Sequence, residues 1–251
     1  MRNPYTMIKI DKLPDGSPLI ISSVSDFCDS MGYCEFKIKH FLKGIKPPQT
    51  EITIAGTKAH EEEEKYEKEH FKFVPITKEE LADLERDVEF ALEAIYTRFF
   101  TKIEIGNAKV PILIYGRADK VLRCEKRLFV EDSKFTGNTA QYLEKIEPYD
   151  DQKLQTMLYL NSRFSETGSL DPKECFEIPH EEKVWVINVK DRNTRETIKI
   201  FRGTQTKEAE NFLKHNLSRF ALIVLALIEP KHHNNIRKCR SCRYTDCEFK
   251  L

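Results

Sequence analysis

The chain lacks any apolar run near the roughly 20 residues that cross a bilayer, which excludes a helical membrane span read from sequence. Its start, MRNPYTMIKIDKLPDG, also lacks the apolar stretch of a signal peptide, so a cytoplasmic protein without a membrane partner is expected. Net charge is missing too: 41 Lys and Arg stand against 41 Asp and Glu, so any nucleic-acid surface must be local. Candidates are Lys37 to Lys46, the set from Arg117 to Arg127, and Lys231 to Arg243. Neither an internal repeat nor a low-complexity tract is present. Nor are the cysteines even in number. Seven of them, in a chain without a secretion signal, argue against a disulfide framework and for metal ligation or buried thiols.

What is present suits one domain over residues 1–251, since 251 residues with 40% hydrophobic content can fill a core. The tail concentrates Cys239, Cys242 and Cys247, a three-sulfur set with no fourth cysteine nearby. Cys34 is the best upstream partner and Cys28 the fallback. A metal held by Cys34 and the tail would bring both ends of the chain together. Four thiolates suit Zn²⁺ as well as an iron–sulfur cluster. Cys124 and Cys175 read as buried apolar residues, Trp185 as core, and His232 with His233 as part of a basic loop.

The pattern along the chain predicts two short helices over 22–44, then a polar helical run ending near His70 whose glutamates form a solvated face. An amphipathic helix is expected from Thr77 to Phe100, opened by a Thr77/Glu80 capping box. Strands follow at Lys109–Tyr115, Ala118–Arg123 and Leu128–Lys134, close enough for an antiparallel meander. A helix over Asp150–Arg163, strands at Lys183–Lys190 and Thr197–Phe201, and a helix from Thr206 to Ile228 stopped by Pro230 complete the order.

In a strand, alternate side chains share a face, so Asp132 and Lys134 point together while Ser133 points away. Paired strands place Asp119 across from Asp132, and two converging carboxylates repel unless a divalent cation neutralises them. A lysine beside such a cation suits phosphodiester hydrolysis, where it orients water or offsets transition-state charge. Taken singly, each motif has a plainer reading. Asp-x-Lys alone is a surface salt bridge, His60 a helix-start residue, and Gln155 with Tyr159 a packing pair one turn apart.

Together, Asp119 and Asp132-Ser133-Lys134 resemble the PD-(D/E)XK nuclease signature. Gly56-Thr-Lys-Ala-His60, Gln155-Thr-Met-Leu-Tyr159 and the four cysteines are similar to further elements of its RecB-like branch, and the order spans residues 20 to 250. Within that branch the chain looks most like the small CRISPR-associated exonuclease, the Cas-four type. Two departures stand out: four residues rather than five separate Cys242 from Cys247, and Asp132 stands where relatives often have Glu.

The resemblance implies an α/β, restriction-endonuclease-like mixed central sheet flanked by helices. An N-terminal helical cap (20–50, with Cys34) and a cysteine tail (230–251) would be joined by a metal cluster, around a catalytic sheet core (105–202). It implies Mg²⁺ or Mn²⁺ held by His60, Asp119, Asp132 and the Ser133 carbonyl, with Lys134 activating water and Gln155 and Tyr159 orienting Lys134 or contacting the strand. It further implies a [4Fe-4S] cluster on Cys34, Cys239, Cys242 and Cys247, with Zn²⁺ as the alternative. Single-stranded DNA is the expected substrate, and a CRISPR integrase or another DNA-processing protein a possible partner. The competing readings are a non-catalytic DNA-binding adaptor of the same fold and a zinc-stabilised nucleic-acid-binding module.

Overall fold

The longest β signals lie side by side in the middle of the chain, and they set the architecture. In the computed structural model, which describes residues 8–70, 90–124, 126–245 and 247–249, three strands form an antiparallel meander. They are β3 (Phe90–Ile105), β4 (Ala108–Cys124) and β5 (Arg127–Thr136). Gly106, at φ 60°, supplies the left-handed residue that the tight β3–β4 turn needs. An N-terminal hairpin, β1 (Lys9–Lys12) and β2 (Pro18–Ser23), adds to β4 through a parallel β2–β4 pairing. On the other side β7 (Glu182–Asp191) runs parallel to β5, with β8 (Thr197–Thr204) antiparallel beside it, and the short β6 (Arg163–Ser165) pairs with β3. The result is the expected α/β architecture: an eight-stranded mixed sheet flanked by helices, as in restriction-endonuclease-like folds.

The helices that follow are α1 (Val24–Cys28), α2 (Lys37–Leu42), α3 (Glu51–His70), α4 (Ala140–Leu143), α5 (Asp150–Leu160), α6 (Lys207–Val224) and α7 (Ile236–Ser241). The main core joins α1, α5 and α6 to the sheet through fully buried Phe27, Leu154, Leu158 and Phe220. The rings of Phe27 and Phe220 meet edge to face at 5.0 Å, a favoured aromatic geometry. A smaller cluster, Tyr142, Ile187, Val189 and Phe201, sits beneath α4. No helix among the described residues is long and apolar enough to cross a membrane.

One edge of β4 is shared by two partners. β2 takes Ile112–Tyr115 and β5 takes Lys120–Cys124, leaving residues 116–119 without a strand neighbour on that side. The chain leaves β2 there: Ser23 caps α1 by accepting the Asp26 amide at 3.0 Å, and α1 turns over the gap. Gly116 makes room for it, because a Cβ at that position would come within 2.7 Å of Val24 and 3.1 Å of the Tyr159 ring.

Several expectations change. The predicted helix from Thr77 to Phe100 falls partly on residues 71–89, outside the described residues, capping box included; from Phe90 onward the chain is strand. There the aromatic and β-branched residues that looked like a helical face pair along β4, and tertiary pairing overrides local helical preference. The strands expected at Lys109–Tyr115 and Ala118–Arg123 are one continuous β4. In the N-terminal helical cap, residues 20–23 are strand, and a π-helical turn, Asp29–Tyr33, separates α1 from α2. Helix α6 stops at Val224, ahead of Pro230, because Ala226 adopts a left-handed conformation at φ 55°.

The π-helical turn packs directly on the first turn of α5. A Cβ on Gly32 would meet the Asp151 backbone nitrogen at 2.3 Å and its Cα at 2.4 Å, atoms that cannot swing aside. Gly32→Ala is therefore expected to destabilise the protein by about 1–3 kcal/mol through overpacking, read as a lowered denaturation midpoint; an unchanged midpoint contradicts this packing.

Candidate active site

The gap in the sheet leaves backbone groups that strand pairing would have satisfied, and side chains take them up. The Tyr159 hydroxyl donates to the Arg117 carbonyl at 2.9 Å, and the Ser133 amide donates to Asp119 Oδ2 at 2.8 Å. Asp119 is thereby fixed at the end of the β4–β5 pairing, facing Asp132 one step beyond the Lys120–Glu131 pair. Alternation of buried and exposed residues breaks here: Ala118 and Val121 are fully buried, with two half-buried residues between them. Opposite Asp119 on β3, Ala94 holds φ at 53°, a left-handed conformation costly for a residue with a Cβ.

From β5, Lys134 Nζ lies 2.6 Å from Asp132 Oδ2, with Asp132 1% exposed. This close ion pair takes up that buried oxygen. The ammonium also donates to Gln155 Oε1 at 2.9 Å, and Gln155 Nε2 donates to the Tyr159 hydroxyl at 3.1 Å. Gln155 and Tyr159 share a face of α5 at helical spacing. A continuous relay of hydrogen bonds thus runs from the β4 backbone to the lysine.

Burial drives the electrostatics. It pushes the Asp132 carboxyl up to about 6, Lys134 pulling it down and Asp119 adding to the rise. Asp119 is likewise raised, mainly by burial. Burial works against the Lys134 ammonium, but Asp132 and Asp119 outweigh it and raise its pKa, so Lys134 stays charged. Burial also pushes the Tyr159 phenol up, which keeps it a donor.

His60 arrives on α3. Its Nδ1 is 3.7 Å from Asp119 Oδ2, and its ring meets Phe135 edge on at 4.8 Å. Burial, then the nearby Lys134, lowers its pKa, favouring the neutral imidazole that can bind a metal. The glutamates after it, expected to be a solvated face, are instead largely docked. Glu64 pairs with Arg117 at 2.8 Å, Glu63 with Lys190 and Glu62 with Arg195. The pairing was hidden from the sequence because Lys190 and Arg195 lie more than a hundred positions away. A cleft of about 230 Å³ opens between α3 and the sheet, lined by His60, Glu61, Arg117, Asp119, Lys120 and Ser133.

The residues present fit a divalent cation by their donor set: a buried carboxylate, a second, half-buried carboxylate facing it and a neutral imidazole close by. Sequence reasoning missed Asp151, four residues before Gln155 on the same face of α5. Its carboxyl is raised by burial and drawn down by Lys134. The Asp151-x3-Gln155-x3-Tyr159 spacing was the available signal.

On another side the N-terminal cap meets the tail and α6. Tyr33 donates to the Lys238 carbonyl at 2.9 Å, His40 stacks on Tyr244 at 4.1 Å, and Glu35 receives Arg219 Nη2 at 2.7 Å. Cys34 and Cys239 are buried, and Cys242 and Cys247 pack against the core at half burial. Burial raises the Cys34 thiol, with Cys242 and Cys247 near enough to add to the effect. Cys28 is a core residue beside Phe27, Cys175 is buried as expected, and Cys124 is half-buried. Trp185, expected in the core, is only partly buried and packs against its margin. His232 and His233 are not a detached loop: their Nε2 atoms lie 3.2 and 3.9 Å from Cys239 Sγ. These three residues form a His/Cys group able to hold a metal ion, with all donor atoms within 4.8 Å. Among the described residues no three of the four cysteine sulfurs are so grouped. Lys37, placed among candidate DNA contacts, is buried and paired with Asp29 at 2.8 Å.

No family model matches the chain, and no curated protein is significantly similar to it. Two solved structures resemble it in shape at 16% sequence identity. The crystal structure of SSO0001 aligns over 92% of this chain and 87% of its own with a TM-score of 0.46. That of a "Putative exonuclease" from Eubacterium rectale aligns over 84% of each chain with a TM-score of 0.43.

The raised Asp132 carboxyl has a definite sign. The native state binds its proton more tightly than the unfolded chain, so this group's contribution to stability falls as pH rises from about 4 to about 6. Carboxyl ¹³C NMR of metal-free protein should show Asp132 titrating near 6. Added Mg²⁺ should lower the midpoint by stabilising the carboxylate. A metal-free midpoint at about 4, the ordinary value, contradicts the burial and pairing described.

Proposed function

We propose that the protein is a metal-dependent deoxyribonuclease of PD-(D/E)XK type, hydrolysing phosphodiester bonds in single-stranded DNA as an exonuclease in CRISPR adaptation or DNA repair. The observation that carries the reading is the convergence of Asp119, Asp132 and Lys134 on one spot, with Gln155 and Tyr159 holding the lysine. A structural salt bridge needs one acid and one base; here a second acid, the half-buried Asp119, faces the buried Asp132–Lys134 pair.

In this reading Asp119, Asp132, His60 and the Ser133 carbonyl hold Mg²⁺ or Mn²⁺. The bound cation supplies Lewis acidity to the phosphate and eases deprotonation of water. Lys134 orients the attacking water and offsets the charge that grows on the phosphate oxygens. Gln155 fixes the ammonium's direction, and Tyr159 fixes Gln155. In-line attack breaks the P–O3′ bond, leaving a 5′-phosphate and a 3′-hydroxyl. The α3 helix, held by its three ion pairs, walls the cleft and keeps His60 in place.

The four cysteines we assign to a structural [4Fe-4S] cluster. One observation supports it: Cys34 lies near enough to Cys242 and Cys247 for their charge to raise its thiol. A second reading, a zinc ion on His232, His233 and Cys239, is favoured by the grouping of those three donors. A CRISPR integrase or another DNA-processing protein is the expected partner.

Asp132→Ala and Lys134→Ala should each reduce cleavage of single-stranded DNA in Mg²⁺ or Mn²⁺ at least about 100-fold; undiminished cleavage by either refutes the assignment. For the cysteines, anaerobically purified protein should be brown and contain iron, and Cys34→Ala should lose both colour and iron. Colourless protein with one zinc ion, retained in Cys34→Ala and lost in His232→Ala, moves the site to the second reading.

A further inference from the structure

Outside the carboxylate site, β3 presents a patterned surface that the reaction does not use. Ile95, Thr97, Phe99 and Ile103 turn inward and are 2–7% exposed. The alternate residues turn outward: Tyr96 is 39% and Phe100 43% exposed, Arg98 is half-buried and Lys102 exposed. Aromatic and cationic side chains therefore alternate along one line, with successive positions about 6.7 Å apart. Scattered exposed aromatics are ordinary on protein surfaces; here two of them share one line with two cations.

The line is also built in place. Arg98 Nε donates to the Leu170 carbonyl at 2.8 Å, which sets the guanidinium 5.3 Å from the centre of the Phe100 ring. The loop carrying Gly168, at φ 75°, comes so close to Tyr96 that a Cβ there would lie 3.2 Å from the ring. Tyr96 pairs in register with Arg117 of β4, whose guanidinium is 5.9 Å from the Tyr96 ring centre. Arg117 in turn lies two residues before Asp119 and lines the same cleft. The order along the sheet is Lys102, Phe100, Arg98, Tyr96, Arg117, then the carboxylates.

We infer that the outward face of β3, from Lys102 through Phe100 and Arg98 to Tyr96, is a track on which unpaired bases of single-stranded DNA stack as the strand approaches the cleft. The chemistry selects this occupant. Flat rings offer stacking to any base, and the interleaved cations match phosphates at the spacing of an extended strand. A protein segment would leave Arg98 and Lys102 without acidic counterparts of matching period, and a duplex hides its base faces from the rings. The inference rests on the nuclease reading only for the choice of DNA and for the destination of the strand.

Binding of a fluorescein-labelled oligothymidylate, measured by anisotropy in EDTA to prevent cutting, tests it. Tyr96→Ala and Phe100→Ala should each weaken binding by about 5-fold to 100-fold. Tyr96→Phe, which keeps the ring, should bind like wild type. Lys102→Ala should make the salt dependence of binding shallower, by about 0.7 in the logarithmic slope for one lost phosphate contact. With the strand annealed to its complement, the ring substitutions should have little effect. Wild-type affinity in a Tyr96→Ala/Phe100→Ala protein, or no affinity of wild type for single strands, overturns the track. Cleavage separates this from the nuclease reading. If wild type binds through these rings but cuts nothing with Mg²⁺ or Mn²⁺, the track stands and the nuclease reading falls. If it cuts while the double variant binds unchanged, the track alone falls.

Discussion

The Asp132 carboxylate, taken out of water beside one ammonium and faced by the half-buried Asp119, is the constraint around which this fold is arranged. Desolvation disfavours both charged acids, and the single Lys134 cannot satisfy them together, which is why Asp132 is pushed up to about 6 while Lys134 is held charged. Such a cluster is poor stabilising material. A hydrophobic group of similar size would pack there without the electrostatic cost, so stability does not account for the cluster.

The sheet creates the place for it. Because β2 and β5 share one edge of β4, residues 116–119 lack a strand neighbour on that edge, and side chains from α5 and β4 itself complete the hydrogen bonding. The groups that hold the fold at the gap are thus the groups that aim the lysine. Distant parts bear on the same point: the cap's π-helical turn rests on the first turn of α5 at Gly32, one helical turn before Gln155. Packing connects the cysteine-bearing ends of the chain to the ammonium through a rigid helix.

Much of this was legible in residue spacing. The two-residue period of a strand put Asp132 and Lys134 on one side, and the four-residue spacing of a helix did the same for Gln155 and Tyr159. The strands from Lys109 onward and the helix at Asp150 were plain because their apolar patterns agree with their tertiary surroundings. What escaped depended on contacts remote in sequence. β3 read as helix because pairing with β4, not its own composition, decides its state. The acidic stretch after His60 looked solvated because its cations come from β7 and the turn after it. Ala94 gives no sequence sign of its left-handed backbone, and only the register shows it opposite Asp119.

The most direct measurement is the position of the cation. Crystals soaked in Mn²⁺ and recorded at a wavelength where manganese scatters anomalously should show one strong peak bonded to both Asp119 and Asp132, within reach of His60, with Lys134 beside it. A peak bonded to neither carboxylate, or none while the crystals still diffract well, would contradict the claim that these acids exist to share an ion.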